Sequence, residues 1–362
     1  MVKLSILIIV TTMLSLNHIA CTQPSKKTNN YQDAAKKLRQ AIQDNFYDTA
    51  TNYYTEHAEK ERNQKPASYL WPLCALIQAD ETEQVLLKTN NRVDHTLEII
   101  KKYYDPRAPK PGYASYPPAL GGGDRFYDDN QWIGIALMDA WKVNKKQAYL
   151  DISKSIYDFM MTAYDTVGGG GLYWEEGVPS KNTCSNGPGV LLALQLYKAT
   201  GEKPFLDTAL QIYNWVNKNL KDESGLYWDN VGYPSGKVDT IRYSYNTGTM
   251  LQSAIYLYEI TGEKQYLEQA KKTAKSAAEY FYGNAKLRDA FWFNAVLLRG
   301  YQHLLQHDKT PDYINAFKKC IDNEMKEKQL ESGLFANKNK TENLVNQAGM
   351  LEILNRLSAI QN

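Results

Sequence analysis

Cysteine is scarce in this chain: four residues in 362, at Cys21, Cys74, Cys184 and Cys320. No Cys-x-x-Cys pair occurs, which excludes the common zinc clusters and dithiol redox motifs. Cys74 and Cys320 read as free structural thiols, with a disulfide as the alternative. Charge of one sign is also lacking. Forty-two basic and 40 acidic side chains leave a net charge of +2, so neither a nucleic-acid surface nor a polybasic membrane patch is expected. Histidines number five, and no His-Glu-x-x-His run is present. His303 and His307 are spaced to share a helix face but have no evident third ligand, so no metal and no organic cofactor are expected. A phosphate-binding glycine loop and a Gly-x-Ser-x-Gly elbow are both missing.

Tyrosine, by contrast, is plentiful at 27 residues, with seven tryptophans. Flat, half-polar rings suit sugar stacking, although ordinary helix packing accounts for most of them. Hydrophobic residues make up 43% of the chain, enough for a large core without low-complexity disorder.

Residues 1–21 read as a targeting segment. Lys3 precedes an apolar run from Leu4 to Leu16, too short to span a bilayer comfortably, and Ile19-Ala20-Cys21 is similar to a lipoprotein cleavage site. Cys21 is therefore the expected lipidation site, and an ordinary signal peptide is the alternative. Residues 22–30 read as a flexible tether. The expected location is across the inner membrane, lipid-anchored at the outer membrane on its periplasmic face or at the cell surface.

Residues 31–362 carry a weak internal repeat. Amphipathic helices are expected near residues 31, 92, 147, 203, 264 and 310. They alternate with helices apolar nearly all round, near 68, 129, 186, 246, 289 and 342. Thr200-Gly201-Glu202-Lys203 and Thr261-Gly262-Glu263-Lys264 repeat as short joints, glycine ending one helix before the next. Longer loops, 111–125, 168–176 and 225–236, occupy the opposite joints. Six such hairpins describe an all-α (α/α)6 barrel, with an open α-solenoid as competitor. Long loops gathered at one end make a cleft where function is expected. No β-rich insertion is evident beyond a small hairpin at 168–176.

At the start of the second enclosed helix stand Asp128 and Asp129. Crowded carboxylates repel, so one must change its proton affinity or find a partner. Neighbouring residues diverge around a helix, so their carboxyls could approach the roughly 5–5.5 Å separation of a retaining glycosidase. The helix N-terminus favours keeping one ionised, and that charge raises the pKa of the other. The alternative is simple capping of the helix. Cys184-Ser185-Asn186-Gly187, Ser244-Tyr245-Asn246-Thr247-Gly248 and Asn346-Gln347-Ala348-Gly349 open three other enclosed helices, as sugar ligands or as caps. Gly171-Leu172-Tyr173-Trp174-Glu175 and Gly225-Leu226-Tyr227-Trp228-Asp229 nearly duplicate one another. Each sets an aromatic pair beside a carboxylate, as a subsite or as a structural hairpin.

Tyr127-Asp128-Asp129-Asn130-Gln131-Trp132-Ile133-Gly134 resembles the active-site motif of glycoside hydrolase family 76, the bacterial endo-α-1,6-mannanases. Gly168 to Trp174, Ser185-Asn186-Gly187-Pro188 and Tyr245-Asn246-Thr247-Gly248 share the resemblance, in the same order. It implies an (α/α)6 barrel that hydrolyses α-1,6-mannan with retention, Asp128 as nucleophile and Asp129 as acid/base. The expected substrate-binding set is Asp124, Asn130, Trp174, Asn186, Trp228, Asp229, Tyr245 and Asn246, and the partner α-mannan or manno-oligosaccharides. Phe293-Asn294-Ala295 departs from the Phe-Lys-Gly run of many members. Other readings are a non-catalytic mannan-binding lipoprotein, a transglycosylase, and an unsaturated-glycan hydrolase using Arg125 or Arg242 against a uronate.

Overall fold

The computed structural model describes residues 30–360 apart from 89–91 and 337–341. The targeting segment, Cys21 and nearly all of the tether lie outside the described residues. Twelve α-helices occur among those described: α1 (Asn30–Phe46), α2 (Leu70–Leu87), α3 (Arg92–Ile100), α4 (Tyr127–Asn144), α5 (Gln147–Met160), α6 (Thr183–Thr200), α7 (Lys203–Asn219), α8 (Ser244–Thr261), α9 (Lys264–Tyr282), α10 (Phe291–Leu304), α11 (Asp312–Lys328) and α12 (Leu344–Ile360). The even-numbered helices form an inner ring in which each packs on the next and α12 closes against α2. The odd-numbered helices wrap them, α5 on α4, α7 on α6 and α1 on α12.

Hydrophobic periodicity accounts for this arrangement. In α6, Val190 to Leu194 and Leu196 are all buried, so the helix has no solvent face and must lie inside. In α5, Tyr149, Leu150, Ile156, Phe159 and Met160 are buried, while Gln147, Ala148 and Asp151 face water. The α6–α7 and α8–α9 joints turn at Gly201 and Gly262, both at φ +74, where a side chain would be strained. Their amides cap the carbonyls of Tyr197 and Tyr258 at 2.8 Å.

Short antiparallel strands decorate the end where the inner helices begin. β1 (Tyr47–Asp48) pairs with β2 (Tyr53–Tyr54), and β3 (Tyr104–Asp105) with β4 (Gly112–Tyr113). β5 (Ser180–Asn182), β6 (Trp228–Gly232) and β7 (Lys237–Arg242) form one sheet in that order, with Asn182 opposite Asn230 and Val231 opposite Val238. This sheet corrects the expectation of a hairpin at 168–176. The hairpin forms instead in the near-duplicate loop after residue 225. Gly168 to Gly171 all adopt positive φ, which no strand can hold, and a Cβ on Gly171 would sit 2.7 Å from the Trp215 ring.

The mouth loops are fastened by a recurring device. Asn130, at the start of α4, takes the Tyr113 amide on Oδ1 at 2.7 Å and gives its Nδ2 to the Tyr113 carbonyl at 2.9 Å. Asn186 of α6 makes the same pair with Leu172 at 2.7 and 2.8 Å, and Gln347 of α12 with Phe335 at 2.8 and 2.8 Å. Each side-chain amide stands in for a strand edge and satisfies a buried peptide group.

Candidate active site

A cleft of about 590 Å³ opens at the mouth of the ring, and Asp128 and Asp129 line it together. They occupy the second and third positions of α4. Phe126 is the N-cap residue and contributes no side-chain hydrogen bond. Neither aspartate therefore caps the helix from its end, although Asp128 Oδ1 accepts the Asp129 amide at 3.1 Å.

The two carboxyls differ in their surroundings. Asp128 Oδ1 accepts the Asp129 amide, and the Cys184 thiol and Trp174 indole stand where they favour its charged form. Loss of water in the cleft outweighs these donors and pushes its pKa up to about 7. Asp129 receives no side-chain hydrogen bond from the described residues. Burial, and next the Asp128 charge, push it well above the ordinary carboxylate range. Within the pair the nearby donors favour the charged form of Asp128, and that charge in turn favours the protonated form of Asp129. Behind Asp128 lie the Cys184 thiol and the Tyr245 hydroxyl, each in electrostatic contact with Asp128 and with the other.

Asp229 faces the same cleft from β6, its Oδ2 accepting from Asn230 Nδ2 at 2.9 Å and its Oδ1 from Asn246 Nδ2 at 3.3 Å. Burial raises its pKa too. The apolar wall is aromatic and continuous. Trp71 lies 5.8 Å from Trp292, Trp132 lies 5.6 Å from Trp292, and Phe293 lies 4.1 Å from Tyr245 (ring centroids). On the facing side Phe126 packs on Trp174 at 5.1 Å. Three carboxyls and a ring-lined wall, with no lysine or arginine among the described lining residues, suit a neutral polyol more than an anion. Arg125 is fully buried, forked onto Glu176 at 2.6 and 2.7 Å, and Arg242 is paired with Asp222 at 2.5 Å.

The model for glycosyl hydrolase family 76 matches residues 30–294. The chain belongs to that family. Solved family 76 structures superpose closely. A family 76 glycoside hydrolase from a bovine Bacteroides thetaiotaomicron strain is 26% identical with a TM-score of 0.84, covering 93% of this chain and 79% of its own. A family 76 α-mannanase from Bacteroides thetaiotaomicron, also 26% identical, has a TM-score of 0.82 over 92% and 97% of the two chains. Among curated proteins, the mannan endo-1,6-α-mannosidase DCW1 of Saccharomyces cerevisiae is 30% identical over 173 residues, 43% of this chain and 38% of that protein. The matched segment spans about two fifths of the length of such fungal relatives.

In this family 76 chain, Asp128, Asp129, Trp174, Asp229 and Tyr245 converge on the cleft, while the other expected ligands do not line it. Asn130 and Asn186 are fully buried loop clamps; their amides are consumed by backbone groups and have nothing left for a sugar. Asn246 is also buried and acts beneath Asp229. Asp124 is exposed outside the cleft beside Glu175. Trp228 packs its ring against the core, and its carbonyl accepts from Thr183. Sequence reasoning missed Trp71, Trp292, Phe293 and Cys184. The last two stand inside runs already singled out, Phe293-Asn294-Ala295 and Cys184-Ser185-Asn186-Gly187, so only the geometry of the cleft distinguishes them. The three described cysteines are free and buried.

The histidine pair also needs correcting. Glu259 of α8 supplies the third group that the spacing of His303 and His307 does not reveal, its Oε1 lying 2.8 and 2.9 Å from their Nε2 atoms.

Proposed function

We propose that this chain is a retaining, endo-acting α-1,6-mannanase, and that the unequal ionisation of the adjacent carboxyls Asp128 and Asp129 carries the chemistry. Asp128, ionised, attacks the anomeric carbon of a mannosyl unit, forming an ester bond as the glycosidic C–O bond breaks. Asp129 gives its proton to the departing oxygen. Asp129, now charged, takes a proton from water, whose oxygen attacks the same carbon, cleaves the ester and returns Asp128 to its starting state. Asp229 and the wall from Trp71 to Tyr245 hold the sugars by hydroxyl bonding and stacking. Family membership and the likeness to known α-mannanases support the substrate class. The position of Arg125 and Arg242, both committed to other partners, speaks against a uronate substrate.

The same proposal includes a bacterial lipoprotein form anchored through Cys21 at the outer membrane, based on the Leu4–Cys21 segment. Incorporation of labelled palmitate that is lost in Cys21→Ala would support it, and a soluble, unlabelled product would refute it. For the reaction, debranched α-1,6-mannan is incubated with the protein and the product anomer followed by NMR. Internal cleavage releasing the α-anomer first is expected, with a loss of about a thousandfold or more in Asp128→Asn and in Asp129→Asn. Initial release of the β-anomer, or activity kept by either variant, would overturn the mechanism.

A further inference from the structure

The short-turn end of the barrel, opposite the cleft, holds a polar cavity of about 670 Å³ lined by the last turns of the inner helices. Glu259 and His303 are on its wall. We propose that Glu259, His303 and His307 form a zinc site there, serving the stability of the ring and not the chemistry at Asp128.

Three observations carry this. First, one ligand atom from each side chain lies within 4.8 Å of the other two. Tetrahedral zinc bonded to nitrogen and carboxylate oxygen at about 2.0–2.2 Å needs ligand atoms about 3.3 Å apart. The present 2.8 and 2.9 Å separations are those of two N–H donors on one oxygen. Replacing those protons by a cation requires the groups to part by only a few tenths of an ångström. Imidazole and carboxylate together are a donor set that suits zinc.

Second, the rings are held in place before any ion arrives. His303 packs edge-on against Tyr256 at 4.7 Å and His307 against Tyr258 at 5.4 Å. Both tyrosines belong to α8, as does Glu259, so one helix presents the carboxylate and both supporting rings. His303 Nδ1 is buried without a partner, which leaves Nε2, already aimed at Glu259, as its ligating nitrogen. Third, the cavity gives an approach for the ion and room for water at the remaining position.

Lys198 is the natural competitor, its Nζ 2.6 Å from Glu259 Oε2. It steadies the carboxylate with Oε1 toward the imidazoles, while its charge opposes a second cation. The 18 residues of α8 put this site roughly 25 Å from the cleft, and zinc here would tie the ends of α8 and α10, neighbours in the inner ring.

The test is titration of the full, metal-stripped chain with ZnCl₂ by calorimetry, with CoCl₂ in parallel as a spectroscopic probe. One zinc per chain is expected, with visible Co(II) bands of four-coordinate type and a Tm rise of a few degrees at a hundredfold excess over Kd. His307→Ala, at a partly exposed position past the helix end, should fold normally and weaken zinc roughly tenfold or more, the scale even of outer-shell losses. Lys198→Met should tighten it. Hydrolysis of α-1,6-mannan should be unchanged by a chelator. Absent uptake, or uptake indifferent to both His307→Ala and Glu259→Gln, would overturn the site. Loss of hydrolysis on chelation would overturn its purely structural role. A failure of zinc binding leaves the mannanase reading untouched, because hydrolysis is measured independently of zinc uptake.

Discussion

The Asp128 carboxyl has backbone and side-chain donors turned toward it and Asp129 has none among the described residues, so residues adjacent in the chain occupy different electrostatic worlds. Both have folded-state pKa values above those of an unfolded aspartate, near 4. The folded protein therefore binds protons more tightly than the unfolded chain. Stability is greatest below pH 4 as far as this pair is concerned, and is lost as pH rises toward about 7, where Asp128 ionises. Asparagine at either position escapes that loss. Asp128→Asn and Asp129→Asn should thus melt higher than the parent at pH 7.5, with the gap closing at pH 4; equal melting curves at both pH values would show that the carboxyls are not strained by burial. The Cys184 thiol stabilises the Asp128 carboxylate. Cys184→Ala should move the acid limb of kcat/KM to higher pH, and Cys184→Ser should restore it by offering a hydroxyl donor. An unmoved limb in Cys184→Ala would remove the thiol from the mechanism.

At the level of helices and loops, the sequence was legible wherever pattern alone decides burial. All six enclosed helices are buried nearly all round, and their starts fall within a few residues of the positions read from periodicity. What pattern could not show is whether an amide at a helix start faces a sugar or a backbone, because both uses demand the same residue at the same place. The clamps at Asn130, Asn186 and Gln347 settle it by geometry. Asn186→Ala would leave the Leu172 amide and carbonyl buried and unpaired. It should destabilise the protein by roughly 2 kcal/mol or more and loosen the loop that carries Trp174, visible in urea unfolding and in faster proteolysis near Gly168. Close packing has a signature of its own. A Cβ on Gly349 would meet the Trp292 amide nitrogen at 2.3 Å, and one on Gly248 the Leu297 backbone at 2.7 Å. The glycines following those amides are there so that inner helices can touch at the mouth.

Across the whole molecule, the cleft is assembled from segments far apart in the chain. Trp71 comes from α2 and Trp292 from α10, more than two hundred residues later, and only closure of the ring brings them within 5.8 Å. No local motif records that distance. The same holds for Glu259 with the histidines. Trp71, the more exposed of the two indoles, is the better probe of stacking: Trp71→Ala should raise KM for manno-oligosaccharides roughly tenfold with kcat nearly kept. A fall in kcat at unchanged KM would instead place that ring against the transition state.

Asn246 departs from the pattern of the clamps. Asn246 opens α8 as Asn186 opens α6, yet its Oδ1 is buried without a partner and its Nδ2 goes to Asp229. The third mouth loop extends as the β6–β7 hairpin and brings the Asp229 carboxyl into the cleft that Asp128 and Asp129 line. In a ring of near-repeats, then, one amide steadies a carboxyl of the cleft where its counterparts steady the frame.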